Sequence, residues 1–371
     1  MSEIVKRYFK FVTDFYEFSV IIQNMSEGKF IKGQGAQRNE INRFDKYTFE
    51  PEEEDYEPAK TKFTEVFPKT IVNIVKSPDL SMELSLNPYQ GCEHGCAYCF
   101  ARPTHEFWGY SAGTDFERQI MVKKNAPELL EKFFRKKNYI PKTLFLSGNT
   151  DCYQPAEKKF EITRQILQLC LDYRHPVSIL TKNALVLRDL DLLKLLAEQN
   201  LVSVSFSIPT LKEEIRRKME PRTSSAEKKL KALEILAENK IPTGVMVAPV
   251  IPGLTSDESL NILKTISEAG AQKVGYALVR LNDTVEPVFV NWINANFPDR
   301  AQKVLNLIRS MRGGNLGDKR LYERYKGEGN IAEMIHNTFA LGKRKYFTDK
   351  GFAPLSTENF TGTKEQQLKL F

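Results

Sequence analysis

Cysteine, histidine and long apolar runs are scarce in this sequence, and each shortage excludes a class of protein. The 371 residues contain five cysteines and four histidines. An odd number of cysteines, three of them in one short loop, does not fit the disulfide framework of a secreted scaffold. The apolar stretch near the start carries Asp14 and Glu17, so it has neither the core of a membrane span nor a signal-peptide pattern. We therefore expect a cytoplasmic protein with no membrane partner.

The start of the chain has an internal echo. Met25 begins MSEGKF, which resembles the MSE at position 1. The first 24 residues are either an extra amphipathic helix or lie upstream of the native start, and we expect the second.

The remaining composition is ordinary for a globular protein. Hydrophobic residues make up 41% and charged residues 27% of the chain, with a net charge of +7. A charge of this size allows a nucleic-acid partner without indicating one.

Short apolar runs alternate with stretches of helical periodicity over the middle of the chain. The runs rich in β-branched residues cover 81–87, 142–149, 176–183, 201–208, 243–251 and 273–281. The helical stretches cover 125–137, 157–174, 189–200, 226–240 and 256–270; in the last, Ser256 and Gly270 stand where an N-cap and a C-cap glycine belong. Strands this apolar indicate a parallel sheet covered by helices, either a doubly wound sheet or a barrel.

The pattern divides the chain into three regions. Residues 1–70 form an N-terminal extension that is largely irregular, 71–285 carry the alternating pattern, and 286–371 form a helical C-terminal region.

The stretch QGCEHGCAYCFAR (90–102) holds Cys92, Cys96 and Cys99 with C-x3-C-x2-C spacing. A closed zinc site needs a fourth ligand, for which His94, His105 or Cys152 could serve, but no second short ligand pair exists in the sequence. The glycines and charged residues between the cysteines are loop residues, which argues against an incidental buried cluster. A cubane iron–sulfur cluster fits better: cubanes normally use four thiolates, so three would leave one iron open to a small molecule.

This motif, with Tyr98 before its last cysteine, resembles the signature of the radical S-adenosylmethionine (SAM) enzymes. The segments NPYQGCEHGCAYCFAR, LSGNTDCYQPAE, SILTKN, EPRTSS and GVMVAPVIPGLTS are similar to the spore photoproduct lyase branch, also labelled DNA repair photolyase-like. The resemblance, over residues 80–285, implies an α/β fold with a partial (β/α)6 TIM-type barrel. It also implies a [4Fe–4S] cluster that reductively cleaves SAM to a 5′-deoxyadenosyl radical, and an electron donor such as flavodoxin or ferredoxin.

The resemblance also implies site residues. Tyr98 is expected to be one of the cofactor-binding residues. The rim after the second strand is expected to bind the methionyl amino group. That rim consists of Ser147, Gly148, Asn149, Thr150 and Asp151, although it departs from the Gly-Gly-Glu-like stretch of the family.

Three residues on the next two strands complete the set. Lys182 is expected to pair with the methionyl carboxylate, unless its ammonium extends to solvent. Ser205 and Ser207 share one strand face and are candidates for ribose or methionyl contacts, or for simple backbone bonding.

The lyase uses a strand-end cysteine as a hydrogen donor, at a place that corresponds to Gly148 here. Cys152 lies several residues away and is the candidate donor, whereas Cys170 lies in a helical stretch and is expected in the core. Phe100, Phe107, Trp108 and Tyr110 follow the cysteine loop and are expected either to stack on a base or to shield the cluster.

Two functions follow. The first is a radical SAM enzyme acting on an unidentified substrate, with a nucleic-acid lesion as one candidate. The second is an iron–sulfur protein that transfers electrons or binds a partner without SAM chemistry; Lys182 and the 147–151 rim favour the first.

Overall fold

The structure is a computed structural model that describes residues 31–44 and 60–362. The chain divides into two compact units, Met1–Lys32 and Gly33–Phe371, and the description below concerns the second. The predicted start at Met25 lies outside the described residues.

The described residues form two sheets, whose strands are numbered here in chain order. The strands are β1 (Lys62–Val66), β2 (Val72–Ile74), β3 (Leu84–Leu86), β4 (Tyr89–Gln90), β5 (Gln119–Lys123), β6 (Leu144–Leu146), β7 (Val177–Thr181), β8 (Val202–Ser207), β9 (Thr243–Val250) and β10 (Lys273–Leu278).

Helices cover both the central region and the C-terminal region. The α-helices are Asp115–Arg118, Ala126–Phe134, Glu157–Phe160, Ile162–Asp172, Leu190–Glu198, Glu213–Met219, Ala226–Glu238, Ser259–Glu268, Val285–Asn296, Pro298–Ser310, Glu323–Lys326 and Gly329–Tyr346, and the 3-10 helices are Arg102–Trp108, Ala184–Asp189 and Ser256–Glu258. Among the described helices, none has both the length and the hydropathy that a membrane crossing needs.

The larger sheet has the order β10-β9-β8-β7-β6-β3-β2. The six strands from β3 to β10 in this sheet pair in parallel, and β2 is added antiparallel at one edge. Because β2 and β10 both remain edges, the sheet is an open, partial barrel, which confirms the predicted fold class. A smaller sheet, in the order β1-β5-β4, holds the residues just before the cysteine loop.

The six parallel strands are the six apolar runs of the sequence. Side chains such as Ile179, Val204, Phe206 and Val245 are 0–2% exposed, because helices cover this face of the sheet. The opposite face carries polar side chains such as Ser178, Ser205 and Ser207, so β-branched residues dominate only the covered face.

Two local predictions have different outcomes. Gly270 adopts φ +96° immediately after the C-cap residue Ala269, as expected for a C-terminal glycine. The N-cap prediction for Ser256 was wrong: Ser256 begins a 3-10 turn, and the α-helix begins at Ser259.

His175 gives the fold a predictable acid sensitivity. Its ring is buried, stacks on Phe134 at 4.2 Å, and burial lowers its pKa to about 3. A histidine with a depressed pKa is neutral in the fold and protonated when unfolded, so stability is lost as pH falls below about 6.5.

We expect His175 to reduce the free energy of unfolding by about 2 kcal/mol at pH 5 relative to pH 7.5. Urea unfolding of wild type and His175→Gln at both values measures this. His175→Gln should be less stable than wild type at pH 7.5, but its free energy of unfolding should fall less between pH 7.5 and pH 5. An equal fall in both proteins would show that His175 does not cause the acid sensitivity.

Candidate active site

The cysteine loop leaves the small sheet directly after β4. The amide of Cys92 donates to the carbonyl of Phe116 at 2.8 Å, and the amide of Ala97 donates to that of Met219 at 3.1 Å. Gln154 binds both ends of the first turn, accepting from the amide of Glu93 at 2.9 Å and donating to the carbonyl of Gly91 at 3.1 Å. The loop is therefore fixed by three separate segments of the chain.

Two glycines are required for this loop to form. Gly91 and Gly95 have φ of +78° and +65°, the left-handed region that other residues avoid. A Cβ on Gly91 would also lie 2.8 Å from the carbonyl oxygen of Gln119. The glycines before the first and second cysteines thus have a steric reason.

A buried ion pair attaches the loop to the N-terminal segment 33–44. Arg102 donates to the carbonyl of Cys96 at 2.8 Å and pairs with Glu117 at 2.5 Å, both side chains being fully buried. The two carboxylate oxygens of Glu117 also accept hydrogen bonds from the backbone amides of Gly35, at 3.2 Å, and Ala36, at 2.8 Å. Segment 33–44 therefore covers the cysteine loop directly.

The three thiols suit a cluster better than a single ion. Cys92 and Cys96 are buried and Cys99 is partly exposed, and all three are free. Among the described residues, no three His, Cys, Asp or Glu side chains come close enough to hold one metal ion. A cubane takes one thiolate per corner iron, so its ligands need not converge on a point. Burial raises the pKa of the Cys96 and Cys99 thiols, a penalty that bound iron would offset.

A cavity of about 1040 Å³ begins at these cysteines and runs through the interior of the open barrel. Its lining includes Cys96 and Cys99 at one end and Lys142 and Thr143, just before β6, at the other. The carboxyl ends of the parallel strands meet at the cysteine end, where active sites of such folds lie.

Most of the predicted 147–151 rim lines this cavity. Ser147, Gly148, Asn149 and Asp151 do so. Thr150 does not: it is buried, and its hydroxyl donates to the carbonyl of Tyr89 at 2.7 Å. Its contacts support the turn, so the structure does not bring Thr150 to the cavity.

Asp151 connects the rim to the cysteine loop. Its carboxylate accepts from the Thr181 hydroxyl at 2.8 Å and the Lys182 amide at 2.7 Å. It also lies 3.4 Å from Nδ1 of the buried His94, which stands between Cys92 and Cys96. Burial alone would lower the pKa of His94, but Asp151 and Cys92 outweigh it and raise that pKa to about 10. The result is a buried imidazolium–carboxylate pair, which sequence reasoning missed.

Lys182 closes β7 and lines the cavity. Its ammonium lies 6.0 Å from the centre of the Tyr98 ring. Burial opposes its charge, but Cys96 and Glu220 outweigh this and raise the pKa of Lys182. The side chain therefore points into the site as a cation and does not extend to bulk solvent.

Tyr98 also lines the cavity and bonds to a buried carboxylate. Its hydroxyl donates to Oε1 of Glu220, and Oε2 of Glu220 lies 3.6 Å from the ammonium of Lys229, which is also fully buried. Glu220 begins the segment EPRTSS that resembles the lyase branch, whereas sequence reasoning did not foresee Lys229. The sequence could have revealed Lys229, because it lies on the apolar face of the helix Ala226–Glu238, at helical spacing from buried residues.

Ser205 and Ser207 both line the cavity, as their alternation predicted. Ser207 donates to the carbonyl of Ala248 at 3.1 Å. Of the aromatic residues after the cysteine loop, Phe100 lines the cavity, whereas Phe107 and Trp108 are exposed on the 3-10 helix and Tyr110 stacks on His105 at 5.2 Å.

Cys152 is fully buried in the main core and is not part of the cavity lining. Its amide donates to Oγ of Ser147 at 2.8 Å, so the rim separates it from the cavity. Cys170 is fully buried in the helix Ile162–Asp172. The role of Cys152 as hydrogen donor stays a prediction, and this position places its thiol behind the rim.

Alkylation measures the access to Cys152. We expect iodoacetamide to leave Cys152 and Cys170 unmodified in the native protein and to modify both in denaturant, because burial excludes the reagent and raises the pKa of both thiols. Peptide mass mapping reads each site. Rapid native modification of Cys152 alone would show that the thiol reaches the cavity.

Comparison with known proteins identifies the family. Residues 86–266 match the Radical SAM superfamily. An uncharacterised protein of Mycobacterium tuberculosis is 35% identical over 250 residues, 67% of this chain and 74% of that protein. A protein of Pseudomonas phage M6 named Radical SAM Nalpha-GlyT isomerase is 25% identical over 257 residues, 68% of this chain and 51% of that protein.

The fold is also found in a solved structure of spore photoproduct lyase complexed with dinucleoside spore photoproduct. The two superpose with a TM-score of 0.57 over 77% of this chain and 80% of that chain, at 16% identity. Since the sequence match spans the cysteine loop and four complete parallel strands, β6 to β9, the chain belongs to the radical SAM superfamily, whose cofactors are a [4Fe–4S] cluster and S-adenosylmethionine.

Proposed function

We propose that this protein is an enzyme that cleaves SAM at the cysteine loop and directs the resulting radical at a substrate held in the same cavity. The observation that carries the proposal is that Cys96, Cys99 and Lys182 all open onto one cavity of about 1040 Å³. This volume lies at the upper end of the range for small-molecule sites, about 300–1,000 Å³, so a second molecule fits beside the cosubstrate.

Each group would have a distinct task. Cys92, Cys96 and Cys99 would hold three irons of the cluster. The bound cluster would supply the electron that cleaves SAM to a 5′-deoxyadenosyl radical, which abstracts hydrogen from a substrate. Lys182 would pair with the methionyl carboxylate, since it is a cation at the rim beside Tyr98. Ser147, Gly148 and Asn149 would surround the amino group.

Three further residues would have supporting roles. Ser205 and Ser207 would contact the ribose or methionyl group from the cavity wall. Asp151 would position its neighbours, because protein donors already occupy both of its oxygens.

We take a nucleic-acid lesion as the first substrate to test. The spore photoproduct lyase structure, which is complexed with dinucleoside spore photoproduct, supports this choice, and the net charge of +7 allows it. A lyase-type reaction, an electron donor such as flavodoxin or ferredoxin, and a cytoplasmic location complete the proposal.

Anaerobic reconstitution with iron and sulfide, followed by dithionite and SAM, tests the proposal. We expect 5′-deoxyadenosine, and more of it when ultraviolet-irradiated DNA is the substrate than when intact DNA is supplied. The ratio of 5′-deoxyadenosine to turnover shows whether SAM is consumed. A complete cluster that yields no 5′-deoxyadenosine would overturn the proposal and favour an electron-transfer or binding protein.

A further inference from the structure

Arg280 is a cavity cation that no acidic partner neutralises among the described residues. It follows β10 at the carboxyl edge of the sheet and lines the cavity. Among the other basic residues of the lining, Lys142 pairs with Glu83, whereas Lys326 forms no ion pair with a described residue. Lys182 already has a task at the cysteine end.

The surroundings of Arg280 are aromatic. Its guanidinium carbon lies 4.8 Å from the ring centre of Tyr325 and 5.8 Å from that of Phe100, the residue after Cys99. Contacts with ring faces use the π electrons and leave the N–H donors of the guanidinium available. Burial lowers the pKa of Arg280 and outweighs the nearby charge of Asp79 and a hydrogen bond with Tyr325.

The backbone that carries Arg280 is held rigidly. The buried guanidinium of Arg312 donates to the carbonyls of Leu278 and Val279, at 3.1 and 2.9 Å. The amide of Val279 also donates to the carbonyl of Val250 at 3.0 Å. A cation on such a strand end is preorganised to bind a ligand.

We propose that Arg280 binds an oxyanion of the substrate, a phosphate or a carboxylate, attached to a planar ring that contacts Phe100 and Tyr325. The planar guanidinium matches either oxyanion through paired N–H donors, and the exposed ring of Phe100 offers a stacking face. The proposal rests on the proposed function in one respect, namely that the cavity receives a substrate beside SAM.

Calorimetric titration of the reconstituted protein, anaerobically and without reductant, tests this inference apart from SAM cleavage. The probes are thymidine 5′-monophosphate for a phosphate, phenylacetate for a carboxylate, and thymidine as the uncharged ring, each with saturating SAM present. We expect one of the anions to bind about tenfold more tightly than thymidine, and the tighter anion identifies the oxyanion.

Three variants separate the role of Arg280 from general effects. Arg280→Gln should weaken binding of the preferred anion about tenfold, and Arg280→Lys should weaken it less, since the charge remains but the paired donors are lost. Lys142→Gln is the matched control, expected within about twofold of wild type because Glu83 already engages that ammonium. If the Gln variant fails to fold, the Lys variant decides.

Several results would overturn the inference. The first is unchanged anion binding by Arg280→Gln, or by Arg280→Lys if the Gln variant does not fold. The second is thymidine binding as tight as that of either anion. The third is that wild type binds neither anion at about 10 mM. A further titration omits SAM. An anion that binds without SAM but not with it would assign Arg280 to the cosubstrate site and overturn the inference. SAM cleavage with any of these outcomes leaves the proposed function standing, and Arg280-dependent anion binding without SAM cleavage refutes the proposed function alone.

Discussion

Cys99→Ala is expected to reduce 5′-deoxyadenosine formation by more than about a hundredfold, since even residues outside the ligand shell of a metal contribute 10–100-fold. Cys99 is one of three thiolates that the cluster needs, and it is the most exposed of the three. Its loss would leave two irons of a [4Fe–4S] cluster without protein ligands.

Cys170→Ala is the matched control for this prediction. It removes a free thiol from the helix Ile162–Asp172, which is buried in the core and separate from the cavity. Iron content, the visible absorbance of the cluster and 5′-deoxyadenosine should all match wild type. Cleavage of SAM by Cys99→Ala at a rate near wild type would refute the assignment of the loop.

Asp151→Ala is expected to have the second-largest effect, and it acts on both stability and activity. The substitution leaves the buried His94 imidazolium without its carboxylate and removes acceptors from Thr181 and the Lys182 amide. Breaking a buried ion pair from one side costs about 3–5 kcal/mol. Since Asp151 joins the cysteine loop to the Lys182 rim, cluster occupancy should also fall.

Asp151→Asn is the milder change, because it removes the charge and one of the two hydrogen-bond acceptors, whereas Asp151→Ala removes both acceptors. An amide keeps one acceptor oxygen but cannot also accept from the Lys182 amide with its nitrogen. We expect it to unfold at a urea concentration between those of wild type and Asp151→Ala, with an intermediate iron content. Wild-type stability and iron content in Asp151→Ala would show that the pair with His94 is dispensable.

The repeated strands could be predicted because each is a short apolar run in the sequence and packs one buried face against helices. Each of β3, β6, β7, β8, β9 and β10 lies within a predicted apolar run. The helix Val285–Asn296 lies in the region that was predicted to be helical, but its bounds were not predicted, because VEPVFVNWINAN is rich in valine and aromatic residues. Burial of Phe289 and Trp292 stabilises it as a helix. The strands β1 and β5 were missed as well, since their pairing joins residues 57 positions apart.

The sequence indicates Cys92, Cys96 and Cys99 as candidate cluster ligands, but the contacts that support the loop could not be predicted from it. Glu117 accepts from Gly35 and Ala36 across more than 80 positions, and Tyr98 donates to Glu220 across 122. Such buried polar contacts depend on tertiary structure, and no periodicity marks them. Asp151 shows the same limit: sequence placed it at the rim, and only the fold reveals that its oxygens serve His94, Thr181 and Lys182.

The central claim is that a three-cysteine loop holds a cluster whose remaining iron faces the cavity and binds SAM. Electron paramagnetic resonance of the reduced, reconstituted protein, recorded with and without SAM, tests it most directly. We predict a [4Fe–4S] signal in wild type whose g values shift when SAM is added, and no such signal in Cys99→Ala. A wild-type spectrum that SAM leaves unchanged would contradict the claim.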